Sequence, residues 1–126
     1  KLRKLEGWNR KRQEMASLYT TLLEGTPLTL PQNLSGRESV FHLYVVRGPR
    51  RDQLADHLKA LGIGVGVHYP IPSHLQPALA NLGYKEGSLP VCERVAKEIL
   101  TLPMYPHMKE EEVRYTVEGI RSFYGL

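Results

Sequence analysis

Apolar side chains recur every three or four positions in four stretches of the chain, which is the spacing of amphipathic helices. The predicted helices cover Leu2–Leu23, Arg51–Leu61, Ser88–Leu100 and Glu110–Tyr124, with a shorter one over Pro77–Asn81. Gly62 stands where a helix commonly ends in a left-handed residue, so we expect it to terminate the second helix. In the Ser88–Leu100 helix the inward-facing residues are predicted to be Cys92, Val95, Ala96 and Ile99.

Between these helices lie stretches with the composition of strands. Val40–Arg47 is β-branched and aromatic and too apolar for a surface strand, which predicts a central strand. In Gly62–Val67, apolar residues alternate with glycines, which predicts a short strand with one nearly bare face. Leu28–Leu30 is a further short strand candidate, and the segment from Thr101 to Pro106 is expected to be extended. The resulting order predicts an α/β domain of two layers, a small sheet with helices mainly on one face.

A polar loop with two prolines follows the Gly62–Val67 stretch and reads H-Y-P-I-P-S-H-L-Q, from His68 to Gln76. The prolines fix their own φ and bias the preceding residues to extended conformations, so the loop is predicted to be stiff. Polar groups on a rigid loop suit a binding site. The candidate binding residues are His68, Tyr69, His74 and Gln76. The alternative is a polar loop whose histidines only cap neighbouring elements.

Composition adds an uneven charge to this picture. The chain has 126 residues and a net charge of +4, with one cysteine. Basic residues concentrate in the first twelve positions, where a nucleic-acid contact is one interpretation and a solvated helix face the favoured one. The single cysteine, Cys92, excludes an intrachain disulfide and is compatible with a cytoplasmic protein. We find no apolar run that predicts a membrane span.

Several classes of site are not predicted. Histidine, cysteine and acidic residues show no metal-ligand spacing, and no Ser/His/Asp or Cys/His set indicates a nucleophile. The glycines at 62, 64 and 66 lie in a strand pattern rather than in a phosphate-binding turn. Helical patterning already begins at Lys1, which predicts that the chain is part of a longer polypeptide.

The motifs together resemble one known family. The runs H-L-Y-V-V-R, R-D-Q-L, G-I-G-V, H-Y-P-I-P-S-H-L-Q, L-P-V-C-E and T-L-P-M-Y-P are similar to the small C-terminal domain of the DegT/DnrJ/StrS family. Members are fold-type-I pyridoxal-phosphate enzymes, mostly aminotransferases acting on nucleotide-linked keto sugars. Residues 1–25 resemble the helix that joins the large domain to the small one, and residues 26–126 resemble the small domain itself.

The resemblance implies that the cofactor, pyridoxal 5′-phosphate, is held by a lysine of a large domain outside this chain. It implies that His68, Tyr69, His74 and Gln76 face a nucleotide sugar or an amino-acid donor in an intact homodimeric enzyme. None of the seven lysines is predicted to be desolvated enough to replace the missing one. We therefore expect no catalytic residue and no bound cofactor in this chain by itself, and no activity.

Two other functions remain open from the sequence. A non-enzymatic regulatory or interaction module could keep the same fold without the chemistry, and the missing lysine favours that interpretation. A nucleic-acid module is supported only by the basic segment from Lys1 to Arg12.

Overall fold

Four α-helices form where the apolar spacing predicts them in the computed structural model, which describes residues 1–126. They are α1 (Leu5–Leu22), α2 (Arg51–Ala60), α3 (Pro90–Glu98) and α4 (Glu110–Tyr124). Short 3₁₀ turns cover Leu2–Lys4, Ser73–Leu75 and Pro77–Leu82. None of the helices is both long enough and apolar enough to cross a membrane.

The end of α2 confirms the predicted role of Gly62. Gly62 has a φ of +76°, and its N–H donates to Lys59 O at 2.9 Å while Ile63 N–H donates to Leu58 O at 2.9 Å. These two bonds form a Schellman motif, which satisfies carbonyls that the helix end would otherwise leave without partners. The chain is thereby turned back towards the sheet.

The sheet is small and antiparallel. Strand β1 (Tyr44–Arg47) pairs with β2 (Ile99–Leu102), in a register that places Tyr44 opposite Leu102. A single bridge joins Arg47 to Thr29 on the other edge of β1, and another joins Thr101 of β2 to Gly66. β1 thus has β2 along one edge and only the bridge to Thr29 on the other, so in this two-stranded sheet the Val40–Arg47 stretch does not form the central strand that was predicted.

Three predicted strands differ from the structure. Val40–Leu43 lies outside β1, and Phe41 there has a φ of +45°, outside the extended region. Gly62–Val67 is not a strand, because Gly62 and Ile63 complete the end of α2 and only Gly66 reaches the sheet. The stretch Leu28–Leu30 contributes only the bridge at Thr29.

Helix α3 also differs from its prediction. It ends at Glu98, and Ile99 and Leu100 begin β2 instead of extending the helix. Its buried residues are Glu93 and Ala96, whereas Cys92 is exposed. The predicted inward face is therefore right for Ala96 and Ile99, which are buried, and in part for Val95, which is half-buried. Only Cys92 is misplaced, because the carboxylate next to it occupies the interior position instead.

The hydrophobic core lies between one face of the sheet and helices α1, α2 and α4. It contains Tyr44, Val46, Leu100 and Leu102 of the sheet. The rings of Tyr19 and Tyr44 stack with centroids 4.9 Å apart, and the Tyr44 hydroxyl is hydrogen-bonded to Thr20 Oγ1 at 2.9 Å. The predicted α/β class, with helices mainly on one face of a small sheet, is confirmed. The other face, with Thr101, carries the predicted binding loop.

Candidate functional site

The binding loop, His68–Gln76, starts at the outer face of the sheet. Gly66 N–H donates to Thr101 O at 3.2 Å, and Thr101 N–H donates to Gly66 O at 2.8 Å. His68 Nδ1 is hydrogen-bonded to Thr101 Oγ1 at 2.9 Å. A Cβ on Gly66 would lie 3.1 Å from Cε1 of His68, so glycine lets the imidazole lie close to the backbone. Thr101 thus fixes both the chain and the ring.

His68 and Tyr69 form the exposed edge of the loop. His68 is exposed, and its Nε2 makes no hydrogen bond within the chain. Tyr69 is 71% exposed, its ring meets that of His68 edge to face at 5.4 Å, and the peptide bond between them is cis. The Tyr69 side chain is therefore open to solvent, and its hydroxyl makes no hydrogen bond within the chain.

His74 lies elsewhere. It is buried, and its Nε2 is 3.0 Å from Oε1 of Glu93. Tyr84 covers the ring edge to face at 6.0 Å. His74 therefore anchors the loop to α3, and in this conformation it presents no polar group to solvent.

Gln76 closes the loop on itself. Its Nε2 donates to Ile71 O at 3.1 Å. His68 and Tyr69 therefore lie together at one edge of the loop. The two other predicted binding residues, His74 and Gln76, make hydrogen bonds that shape the loop.

Glu93 is a site residue that periodicity missed. Its carboxylate accepts from Gly87 N–H, at 2.8 Å to Oε2 and 3.0 Å to Oε1, and from Leu89 N–H at 3.1 Å. The pKa of Glu93 is held below its ordinary value by these hydrogen bonds, first by the one from the Gly87 backbone, then by those from His74 and from the Leu89 backbone. Only its position in the run L-P-V-C-E indicated that this acidic residue differs from its solvated neighbours.

This lowered pKa predicts an acid-dependent loss of stability. A carboxylate with a depressed folded pKa stabilises the fold above its ordinary pKa, and that stabilisation disappears as the pH falls through the folded value. We expect the difference in free energy of unfolding between wild type and Glu93→Gln to shrink as the pH is lowered through and below the ordinary pKa of a glutamate. Urea unfolding at each pH measures it. Glu118→Gln, which removes an exposed carboxylate of α4, is the matched control and should show no such pH trend.

A cleft of about 580 Å³ lies away from the binding loop. It is lined by Ile63, Met108, Tyr105, Tyr115 and Glu111, among others. Tyr105 donates its hydroxyl proton to Glu112, and Glu112 also accepts from Lys109 N–H at 2.8 Å. These bonds cap the start of α4, so the cleft contains groups that already have structural partners.

The chain offers no attachment point for a covalently held cofactor. All seven lysines are exposed, and three of them lie next to carboxylates: Lys11 beside Glu14, Lys59 beside Asp56, and Lys97 beside Glu86. A lysine that reacts with a carbonyl must lose its proton readily, which requires desolvation or a neighbouring cation. The lysines present do not fit that role, and no cluster of His, Cys, Asp or Glu could hold a metal ion.

Comparison with known proteins assigns the chain to a family. The model of the DegT/DnrJ/EryC1/StrS aminotransferase family matches residues 1–121. The chain belongs to this family. As in the resemblance drawn from its motifs, the match extends through α1, the sheet and the binding loop.

Individual family members cover nearly the whole chain. This chain is 50% identical to the pleiotropic regulatory protein of Geobacillus stearothermophilus over 123 residues, and the alignment covers 95% of this chain. It is 39% identical to the dTDP-3-amino-3,4,6-trideoxy-α-D-glucose transaminase of Streptomyces venezuelae, over 98% of this chain. The crystal structure of S. venezuelae DesV in complex with a ketimine intermediate superimposes with a TM-score of 0.93 over 97% of this chain, at 39% identity.

In each of these comparisons the chain spans about one third of the relative's length, 33% of both the regulatory protein and the transaminase. The aminotransferases of the family are therefore larger proteins than this chain. The fold of this chain matches one third of the S. venezuelae DesV structure.

Proposed function

We propose that this chain is the substrate-side, C-terminal domain of a pyridoxal-phosphate-dependent aminotransferase that transfers an amino group to a nucleotide-linked keto sugar. The observation that carries the proposal is the pair His68 and Tyr69, exposed side by side on a domain built like part of a sugar transaminase. Named relatives support this substrate class, among them a UDP-N-acetyl-3-dehydro-α-D-glucosamine 3-aminotransferase from Acidithiobacillus ferrooxidans, 34% identical over 93% of this chain.

The two exposed side chains have complementary capacities for binding such a substrate. Thr101 occupies Nδ1 of His68, which leaves Nε2 for a hydroxyl, a phosphate or a carboxylate of the bound molecule. The Tyr69 hydroxyl can donate or accept, and its ring can stack on a sugar or a base. Together with the supporting residues His74 and Gln76, they would orient the substrate and exclude water, while the cofactor supplies electron withdrawal when bound.

The rest of the proposed enzyme lies outside the chain. Residues 1–25 would join a large cofactor-holding domain to residues 26–126. In support, the only buried residues of α1 lie in its second half, Met15, Ala16 and Tyr19, while Leu2 and Leu5 are exposed. Apolar residues left open in this way are suited to contact another part of a protein. The proposed enzyme is cytoplasmic and homodimeric, and it uses an amino-acid donor.

The exposed lysines predict that the chain by itself does not bind the cofactor covalently. Titration with pyridoxal phosphate, followed by borohydride reduction and peptide mapping, should give no stoichiometric label on any lysine, because every lysine side chain is exposed and none is desolvated. Random partial labelling of several surface lysines is the expected background. Specific, complete labelling of one lysine would contradict the assignment of the cofactor site to another domain.

A hybrid enzyme tests the proposed function. In it, this chain replaces the matching third of the S. venezuelae transaminase, and the shared fold at a TM-score of 0.93 makes the exchange structurally reasonable. We expect the hybrid to transfer an amino group, whereas the relative without its own matching third should not. A hybrid that folds and holds its cofactor but does not transfer an amino group would contradict the proposal.

A regulatory function is the second candidate, and one observation favours it. The relative with 50% identity is described as a pleiotropic regulatory protein. The full reading frame that encodes this chain distinguishes the two: a regulatory protein without the chemistry need not retain a cofactor-binding lysine, whereas the proposed enzyme must encode one.

A further inference from the structure

Glu93 is a buried carboxylate whose hydrogen-bonding capacity is used inside the chain. It accepts from His74 Nε2 and from the backbone N–H groups of Gly87 and Leu89 at distances of 2.8 to 3.1 Å. An ionised carboxylate only accepts, so Nε2 of His74 must carry the proton between them. A buried charge with several such donors is stabilised, whereas one without them is costly.

The binding loop is held to the rest of the domain at two points. At its start, His68 is bonded to Thr101 of β2. Near its end, His74 is bonded to Glu93 of α3. Between these two points the chain projects into solvent, with Tyr69 71% and Ile71 47% exposed.

The second attachment depends on one hydrogen bond. Nδ1 of His74 is buried and has no partner, so the bond from Nε2 to Glu93 is the only polar contact that orients the ring. Gln76 bonds Ile71, within the loop itself, and so cannot hold the loop to another element. Helix α3 continues directly into β2 at Ile99, which links Glu93 through the backbone to the strand that holds His68.

We propose that Glu93 is a positioning residue: acting through His74, it sets the path of the binding loop and thereby the place of Tyr69 at the substrate-facing edge. The assignment of that edge to substrate rests on the proposed function. Glu93 itself touches no substrate, and the same carboxylate also holds the loop that contains Gly87.

Amide hydrogen exchange in this chain tests the positioning directly. Leu75 and Gln76 donate to Pro72 O and Ser73 O within the binding loop, and Gly87 and Leu89 report on the other side of Glu93. We expect His74→Phe to speed exchange at Leu75 and Gln76 by about tenfold or more while Gly87 and Leu89 change by less than about threefold. Glu93→Gln should speed exchange at all four amides.

Two controls separate this effect from general loosening. His74→Gln places an amide nitrogen near the position of Nε2 and should restore slow exchange at Leu75 and Gln76. Glu86→Gln removes a neighbouring carboxylate that is exposed and should change none of the four rates. Unchanged exchange at Leu75 and Gln76 in His74→Phe, with Glu93→Gln acting only on Gly87 and Leu89, would overturn the proposal and leave Glu93 as a cap of the 87–89 turn.

Steady-state kinetics of the hybrid enzyme then test whether the position of the loop matters for the reaction. Glu93→Gln and His74→Phe should raise the KM for the sugar nucleotide about tenfold with a smaller change in kcat, and His74→Gln should recover most of the loss. Normal kinetics of both variants in an active hybrid would overturn the positioning role. An inactive hybrid combined with the expected exchange rates would instead contradict the proposed function and leave the loop attachment intact.

Discussion

Replacing His68 with alanine is expected to lower kcat/KM of the hybrid enzyme about 10- to 100-fold. The loss of one hydrogen bond to a charged group of the substrate, about 1.5 to 3 kcal/mol, corresponds to a change of that size. His68 is exposed, and its one hydrogen bond within the chain goes to Thr101. The free energy of unfolding should therefore fall by no more than about 1 kcal/mol.

Steady-state kinetics and urea unfolding of the same preparations measure the two effects. His42→Ala is the matched control, because His42 is also an exposed histidine and lies just before β1. It should change neither quantity. A large loss of stability with normal kinetics for His68→Ala would show that the imidazole serves the fold, through Thr101, rather than the substrate.

Replacing Leu58 with alanine is expected to have the largest effect on stability, a loss of about 2 to 5 kcal/mol. Leu58 of α2 is fully buried and faces α4. A Cβ on Gly119 of α4 would lie 3.0 Å from Cδ2 of Leu58, so the two helices are in close contact there. Alanine at 58 would leave a cavity that this close packing cannot fill.

A domain of this size has a total stability of about 5 to 15 kcal/mol, so Leu58→Ala should remove a large part of it. Leu34→Ala is the control, since Leu34 is 63% exposed, and it should change the free energy of unfolding by less than about 0.5 kcal/mol. Equal effects of the two substitutions in urea unfolding would contradict the described core.

The fold was predictable wherever one local signal decided the structure. Helix α4 starts and ends at the residues that apolar spacing predicted, and Gly62 ends α2 because a left-handed residue is needed there. The stretch Gly62–Val67 was not predictable in the same way. Its alternation suits a strand, but the Schellman motif uses its first two residues.

The site was predictable as a segment but not as a set of contacts. The run from His68 to Gln76 stood out by its prolines and polar groups, and His68 and Tyr69 do lie together at an exposed edge. Thr101 lies 33 residues after its partner His68, and Glu93 lies 19 residues after its partner His74. Pairings over such separations leave no local periodicity in the sequence. Nothing in the spacing of His68 and His74 distinguishes the exposed imidazole from the buried one.

Transfer of an isotope-labelled amino group by the hybrid enzyme tests the central claim most directly. The hybrid is incubated with labelled amino acids and a nucleotide-linked keto sugar, and the sugar product is weighed by mass spectrometry. We expect labelled amino sugar over repeated turnovers, at a rate that His68→Ala lowers about 10- to 100-fold. A folded hybrid with bound cofactor that yields no labelled sugar would contradict the claim.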